Sequence, residues 1–258
     1  ELAVARIYNR DLTHEEIQQN YNAQSARIAA IPKIAQPGNL KLYLDAGIFE
    51  SYKGSGSGTT WYDLSGSGND GTITNATYDT TLPENDMGKF FDFDGTGDYV
   101  TLSTSTWGAG SFCISMWINA NALSGYQMLF GGSGYSGGSG IGHYLYSTSI
   151  KTWIDDGVSA ANLYTGQTLS TDTWYNIVFQ RDYGVAFNWY LNGQNINNYS
   201  SNYLTTDLSS PNSTIAKHYN STSYNFDGKI PIVQVYDRAL TAKEVTQNYN
   251  YFKHRFGK

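Results

Sequence analysis

The sequence predicts an all-β protein in which two antiparallel sheets pack face to face, with one short helix after the last strand. The chain has 258 residues, including 27 Gly, 22 Tyr and five Pro, and only 15% of its residues are charged. Short stretches of alternating apolar and polar residues recur along the chain between clusters of turn residues. This combination is typical of a β-sandwich.

The predicted strands follow one another from residue 40 onward. LKLYLDA at residues 40–46 alternates leucines with other residues as a first strand, and a Gly/Ser-rich loop leads to a short aromatic strand and a polar strand within residues 61–78. Residues 89–102 are predicted to form a hairpin that turns at residues 94–97. The later predicted strands are SFCISMWI, QMLFGG, HYLYS, KTWID, WYNIVFQR and AFNWYLNGQNI.

Two local signals near the end of the chain predict a tight hairpin and a helix. The pair Asn192-Gly193 lies between two strand-like runs, and both central residues of a type I′ turn need a positive φ. Thr241 is followed three residues later by Glu244, which is the pattern of a helix N-cap with a capping box. The predicted helix therefore begins directly after the last strand and caps the surface of the sandwich.

The start of the chain repeats its end. Residues 4–22 match residues 232–250 without a gap, and each copy encodes a strand followed by a short helix. One strand and one helix bury too little apolar surface to fold alone. We therefore expect residues 1–30 to be the terminal strand and helix of an incomplete upstream domain, residues 31–39 to be a linker, and residues 40–258 to be the complete domain. Strand donation to a neighbouring subunit is the alternative.

Composition argues against several classes of protein. The net charge is −6 and the pI is about 5.1, and no basic stripe is present, so a nucleic-acid-binding surface is not expected. No apolar run approaches the roughly 20 residues that would span a bilayer, so membrane insertion is not expected. A single cysteine, Cys113, excludes an internal disulfide, and its position in a predicted strand indicates a buried residue.

Several segments, taken together and in order, resemble the laminin G-like domains of the concanavalin A-like lectin/glucanase superfamily. These segments are LYLDAG, WYDLSGSGNDGTI, FDFDGTGDYV, ISMWI, WYNIVFQR, WYLNGQ and VYDRALTAKEV. The resemblance implies a jelly-roll sandwich. The form of these motifs is similar to copies in phage virion proteins and in secreted bacterial surface proteins, which implies an extracellular or virion-surface location within a larger assembly.

Catalysis is not expected from the residues present. The glucanase branch of the superfamily places its paired carboxylates in an ExDxxE pattern, and no such pattern occurs in the chain. The sequence also lacks a nucleophile elbow, a phosphate-binding loop and zinc-ligand spacing. The chain is therefore predicted not to be an enzyme.

A calcium site is the candidate metal centre. Asp94 and Asp98 bracket a glycine-rich turn whose carbonyl oxygens are ligands of the kind that calcium takes, and Asp45 is a weaker candidate. The alternative is that Asp and Gly at these positions serve an ordinary turn.

Tyrosines in or beside Gly, Ser and Asn segments indicate a possible glycan surface, because a flat ring with a hydroxyl suits polar ligands. The tyrosines in such segments are Tyr126, Tyr135, Tyr144, Tyr146, Tyr164, Tyr183, Tyr203, Tyr219 and Tyr224. The selected ligand-binding candidates are Tyr126, Tyr135, Tyr144, Tyr146 and Tyr219. In contrast, the tryptophans of the strand patterns are expected to be core or half-core residues, namely Trp117, Trp153, Trp174 and Trp189.

Two functions remain open from the sequence. The first is a non-enzymatic structural or adhesion module, repeated in tandem in a virion or an extracellular surface assembly. The second is a lectin-like module that binds carbohydrate through rim loops, with calcium as a candidate aid. The first partner expected is an upstream domain or neighbouring subunit that docks on residues 1–30, and glycans are the second.

Overall fold

A computed structural model gives the fold of the chain. The structure describes residues 8–13, 15–17, 19–20, 34–35, 37–53, 58–79, 88–102, 107–132, 139–210, 213–218, 221 and 223–258. The strands are β1 (Leu40–Asp45), β2 (Thr60–Trp61), β3 (Gly71–Thr74), β4 (Thr77–Tyr78), β5 (Phe91–Asp94), β6 (Tyr99–Leu102), β7 (Phe112–Ala120), β8 (Tyr126–Gly132), β9 (Ser139–Tyr146), β10 (Ser149–Asp156), β11 (Ala160–Thr168), β12 (Trp174–Asp182), β13 (Ala186–Leu191), β14 (Gln194–Tyr199), β15 (Ser213–Ile215) and β16 (Asp227–Tyr236). Helix α1 (Ala242–Phe252) follows the last strand, and short 3₁₀ helices lie at Pro37–Asn39, Asn202–Thr205 and Lys253–Phe256.

Within these described ranges the strands form two antiparallel sheets of eight strands each. Sheet A has the order β14-β13-β12-β7-β16-β5-β4, and β1 also pairs with β16. Sheet B has the order β11-β10-β9-β8-β15-β6-β3-β2. Consecutive strands form much of each sheet, but some neighbours are distant in sequence, such as β7 with β16 and β15 with β6, as in a jelly roll. The predicted all-β, two-sheet jelly-roll sandwich with a short C-terminal helix is confirmed.

The main hydrophobic core lies between the two sheets. Each strand contributes every second side chain, because successive side chains point to opposite faces. Leu42 and Leu44 of β1, for example, are fully buried there, together with Trp189 of β13. Dispersion and the hydrophobic effect across this layer hold the sandwich together.

A second apolar cluster lies on the outer side of sheet A, under helix α1 and the 3₁₀ turn that follows it. Trp117 and Cys113 of β7 contribute to it, and Val245 and Phe252 of α1 pack onto it. Burial raises the pKa of the Cys113 thiol, so this cysteine stays a neutral packing residue as predicted. The outer face of sheet A is therefore occupied by the chain's own C-terminus.

The two strongest local predictions are confirmed. Asn192 and Gly193 have φ values of 51° and 78°, and they connect β13 to β14 as a type I′ turn. The Thr241 side chain accepts a hydrogen bond from the Glu244 amide, and the Glu244 carboxylate accepts from the Thr241 amide at 2.8 Å. This capping box fixes the start of α1.

The predicted hairpin at residues 89–102 is wrong. β5 pairs with β16 and β4 in sheet A, whereas β6 pairs with β15 and β3 in sheet B. The connection between them contains Gly95 and Gly97, whose φ values of 77° and 82° let the chain leave one sheet and enter the other. The turn therefore joins the two layers at a corner of the sandwich.

No helix among the described residues is long and apolar enough to cross a membrane.

Candidate functional site

The outer face of sheet B carries a group of large aromatic side chains. In β9 the alternation sends Ile141 and Leu145 into the core, so Tyr144 and Tyr146 point to the outside. Tyr126 of β8 lies directly opposite Tyr146, and Tyr164 of β11 belongs to the same outer side. We call the set Tyr126, Tyr144, Tyr146, Trp153, Tyr164 and Tyr224 the aromatic face.

Tyr126 is the centre of this arrangement. Its ring centroid lies 4.5 Å from that of Tyr146, 5.3 Å from that of Tyr224 and 5.7 Å from that of Tyr144. All three pairs are tilted rather than stacked, which is the geometry that the quadrupoles of neighbouring rings favour. The rings thus fix one another's orientation, while Tyr126, Tyr146 and Tyr224 remain partly exposed to solvent.

Trp153 extends the aromatic face along β10. It pairs across the strands with Gly142 of β9, and a Cβ atom at Gly142 would overlap its indole ring. Trp153 therefore lies flat against the sheet in space that only a glycine leaves open. Trp153 is half-buried, which agrees with the expected core or half-core position, but it lies on the outer face because β10 sends Ile150 and Ile154 inward and Trp153 outward. Trp117 and Trp189 are buried as expected, and Trp174 is half-buried.

Polar groups are interleaved with the rings. The Tyr144 hydroxyl donates to Asn162 Oδ1 at 3.0 Å, which orients both side chains. Lys151 Nζ lies 4.1 Å from the ring centroid of Tyr146 and 4.4 Å from that of Tyr164. An ammonium held between two rings is a cation–π arrangement, and it places one positive charge within the aromatic face.

The exposure of the rings separates this surface from a core. Tyr126 and Tyr164 are 50% and 54% exposed, and Tyr146 and Tyr224 are each 39% exposed. Tyr144 is nearly buried beneath them, and burial is the main cause that raises the pKa of its hydroxyl, so it stays a neutral hydrogen-bonding group. Half-exposed rings grouped around Tyr126 are typical of a binding surface.

Three of the five predicted ligand-binding tyrosines are brought together on this face, namely Tyr126, Tyr144 and Tyr146. Tyr135 and Tyr219 lie outside the described residues. The structure places the three tyrosines on strands β8 and β9, whereas the carbohydrate site was predicted at rim loops. Sequence reasoning missed Trp153 and Lys151, although the alternation of isoleucines around them in SIKTWIDD carried the signal.

The predicted calcium ligands lie at the corner between β5 and β6. Asp98 Oδ2 accepts from the Asp94 amide at 3.0 Å, and Asp94 Oδ1 accepts from the Thr96 amide at 2.6 Å. Burial is the first cause that raises the pKa of Asp98, and the charges of Asp94 and Asp92 add to it. Within the described residues no three His, Cys, Asp or Glu side chains form a group that could hold a metal ion. Calcium binding at this turn stays a prediction.

Asp45 is engaged by protein donors. Its two oxygens accept from Arg255 at 2.7 Å each, and Oδ2 also accepts from the Tyr43 hydroxyl at 2.9 Å. Gly47 N donates to Oδ1 at 3.0 Å. This geometry favours a structural role for Asp45 over the metal-binding role that the sequence suggested.

A family model described as the concanavalin A-like lectin/glucanases superfamily, of laminin G type, matches residues 94–246. The chain belongs to this superfamily. The match covers more than half of the chain and includes the aromatic face. It confirms the family assignment made from the sequence motifs. No curated protein sequence matches the chain.

Solved structures share the fold at low sequence identity. Domain 4 of AbnA, an extracellular GH43 arabinanase of Geobacillus stearothermophilus solved with arabinotriose, is 17% identical, with a TM-score of 0.64 over 82% of this chain and 98% of that domain. The binding domain of Paraclostridial Mosquitocidal Protein 1 is 18% identical, with a TM-score of 0.63 over 84% of this chain and 53% of that one. A botulinum neurotoxin type C structure, whose report describes interaction with two ganglioside molecules, is 15% identical, with a TM-score of 0.60 over 83% and 51%. This chain thus spans about half the length of the two toxin chains.

Proposed function

We propose that the chain is a non-enzymatic carbohydrate-binding module whose ligand lies on the aromatic face of sheet B. The observation that carries the proposal is the group of half-exposed rings around Tyr126, whose centroid lies 4.5 Å from that of Tyr146 and 5.3 Å from that of Tyr224. A cluster of this kind offers several ring faces to a single ligand.

Sugars fit this surface chemically. One side of a pyranose or furanose ring presents C–H groups that pack on an aromatic face, and its hydroxyls need hydrogen-bond partners around the edge. Tyr126 and Trp153 supply flat apolar surfaces, while Asn162, Lys151 and the tyrosine hydroxyls supply the polar edge. A strand-borne platform also loses little conformational entropy on binding, because the rings are already ordered by one another.

The aromatic face lies on the one of the two outer sheet faces that helix α1 leaves uncovered. Helix α1 covers the outer face of sheet A, where its apolar residues form the second cluster. The outer face of sheet B instead presents half-exposed tyrosines to solvent. A ligand surface and a covered surface are therefore separated onto opposite sides of the sandwich.

The similar structures support this proposal at the level of the fold. The arabinanase domain was solved with a bound trisaccharide, and the report on the type C neurotoxin names ganglioside interaction. Both are secreted or cell-targeting proteins by their descriptions, which supports an extracellular place for this module as well.

A structural or adhesion role in a virion or cell-surface assembly is the second candidate, and one observation favours it. The copied strand-and-helix segment at residues 4–22 is what a chain of repeated modules would contain. The two candidates are compatible, since an array of modules can present many weak glycan sites and gain avidity.

A glycan array with the chain, followed by calorimetry on the strongest hit, tests the proposal. We expect saturable binding that falls at least about tenfold, or about 1.4 kcal/mol, in a Tyr126→Ala, Tyr146→Ala variant. Tyr199→Ala is the matched control, because Tyr199 is 43% exposed and lies on β14 of the other sheet. A blank array, or equal losses in the two variants, would refute the proposal.

A further inference from the structure

The two copies of the repeated segment can be compared position by position, because the structure shows how the second copy packs. Within residues 236–250 of this copy the buried residues are Tyr236, Leu240, Val245 and Asn248, with exposed fractions of 0%, 3%, 1% and 4%. Tyr236, Leu240 and Val245 belong to the apolar cluster on the outer side of sheet A, and Asn248 donates to the Tyr236 hydroxyl at 3.0 Å. These positions define the packing face of the segment.

The first copy keeps this packing face. Tyr8, Leu12 and Asn20 are identical to their counterparts, and Ile17 replaces Val245 with another β-branched aliphatic residue. The other differences between residues 8–22 and 236–250 fall at positions that are exposed or half-exposed in the second copy. These positions are Asp237, Ala239, Ala242, Lys243 and Thr246. Residues are thus kept at the buried positions and vary at the exposed or half-exposed ones, which indicates that the first copy also packs against a sheet.

The first copy also keeps the local geometry. Arg10 donates to Glu16 Oε1 at 2.6 Å and to Oε2 at 2.9 Å, and Arg238 donates to Glu244 Oε1 at 2.6 Å and to Oε2 at 3.0 Å. In each copy the same glutamate accepts from the backbone amide of the capping threonine, Thr13 at 3.0 Å and Thr241 at 2.8 Å. Both segments therefore enter their helix through the same capped turn.

The two copies differ in how much of the packing face is covered. Tyr8 is 43% exposed and Ile17 is 54% exposed, whereas their counterparts Tyr236 and Val245 are buried. Within the part of the chain that the structure describes, Tyr8 and Ile17 of the first copy are thus exposed, and Leu12 is half-buried whereas its counterpart Leu240 is buried. Leaving such side chains in water forgoes the stabilisation that their burial provides in the second copy.

The residues that bury the packing face of the second copy show what kind of surface the first copy would pack against. The amide and carbonyl of Leu240 are bound by the side chain of Gln180, each at 2.9 Å. Tyr249 stacks on Trp117 at a centroid distance of 5.6 Å, and Val178 belongs to the same apolar cluster. A partner for the first copy needs the same features: a glutamine facing the turn and an apolar, aromatic-bearing outer sheet face.

We propose that residues 8–20 dock on the outer sheet face of another laminin G-like sandwich, which precedes them in the same polypeptide. The equivalent face of a second copy of this chain is already covered by its own α1. The path of the chain fits a serial arrangement, because the Ala35 amide donates to Asn248 Oδ1 at 2.6 Å and so holds the entry to the domain beside its own terminal helix. Asn20 is the counterpart of Asn248 in the first copy.

A graft tests whether the first copy fits a laminin G-like sheet. In the full chain, the substitutions D237N, A239D, A242H, K243E, V245I and T246Q give residues 236–250 the sequence of residues 8–22. We expect the melting temperature to stay within about 4 °C of the original, because every buried position keeps its chemistry. The same graft with V245D in place of V245I is the control, and we expect it to melt at least about 10 °C lower. A loss in the first graft as large as in the control would overturn the proposal.

The oligomeric state of the unaltered chain and of the Ile17→Asp variant, measured by light scattering, distinguishes a preceding domain from a second copy of the chain as the partner. We expect both to be monomers at micromolar concentration, since the cover belongs to a preceding domain. A dimer that Ile17→Asp converts to a monomer would show that a second copy covers the packing face, and it would overturn the assignment to a preceding domain. Neither measurement depends on glycan binding.

Discussion

Arg255 and Asp45 form a buried, bidentate ion pair that ties the C-terminal 3₁₀ turn to the end of β1. The two N–O distances are 2.7 Å, and the side chains are 3% and 0% exposed. The pair joins positions separated by 210 residues in sequence. It therefore closes the domain between its first strand and its last turn.

Breaking this pair is expected to destabilise the fold strongly. Arg255→Met leaves the Asp45 carboxylate buried without its cation, and we expect the free energy of unfolding to fall by about 3–5 kcal/mol in urea denaturation. Lys41→Met is the control, because the Lys41–Asp237 pair is 42% and 41% exposed and is worth at most about 1 kcal/mol. Equal losses in the two variants would contradict a structural role for the buried pair.

The stability of the domain is expected to fall with pH below about 6.5, partly because of His143. This side chain lies in the core against Phe179 and near the Thr152 hydroxyl, and burial lowers its pKa from 6.5 to about 3. At a pH between these two pKa values, His143 is protonated in the unfolded chain but neutral in the folded chain. Lowering the pH in this range therefore favours unfolding. The stability that the neutral, buried His143 side chain allows is fully present above pH 6.5, and it is lost progressively as the pH falls toward 3.

Urea denaturation at several pH values between 6.5 and 5 measures this effect. One such histidine contributes up to about 1.4 kcal/mol per pH unit in that window. His218 adds to the slope, since burial lowers its pKa as well. We expect His143→Gln to have a shallower slope than the original chain. An unchanged slope would show that His143 does not carry the effect.

Two glycines are expected to respond differently to an added methyl group. At Gly228 a Cβ would overlap the Asn119 carbonyl oxygen in the backbone of β7, so Gly228→Ala should lower the free energy of unfolding by about 3 kcal/mol or more. At Gly142 the overlap is with the Trp153 side chain, which can move away from the sheet. Gly142→Ala should cost only about 1 kcal/mol.

Gly142→Ala should nevertheless change the aromatic face. Displacing Trp153 toward solvent is expected to shift tryptophan fluorescence to longer wavelength and to weaken glycan binding at least about tenfold. Unchanged fluorescence and binding would contradict the placement of Trp153 as part of the ligand surface.

Local sequence signals predicted the elements that depend on neighbouring residues. The Asn192-Gly193 turn and the Thr241–Glu244 capping box are each fixed by a few residues whose chemistry admits one solution. The β5–β6 connection was mistaken for a hairpin because a glycine-rich turn has the same composition whether it joins strands within one sheet or across two. Only the pairing of β5 with β16, more than a hundred residues later, decides it.

In the candidate site, too, the residue types could be selected from the sequence, but their arrangement depends on which strands pair. Tyr126, Tyr144 and Tyr146 were selected for their ring chemistry, yet their meeting depends on the pairing of β8 with β9. Trp153 was expected to be a core or half-core residue because a tryptophan in a strand is usually buried. Its outward position follows from the alternation of β10, and the register of β9 and β10 places Gly142 beside it, which leaves room for the ring against the sheet.

The most direct test of the central claim is a crystal structure of the chain with the tightest glycan from the array. We predict a sugar ring in van der Waals contact, within about 4 Å, with the rings of Tyr126 or Trp153 on the outer face of sheet B. A glycan bound instead at the Asp94–Asp98 turn, or on the side of α1, would contradict the account.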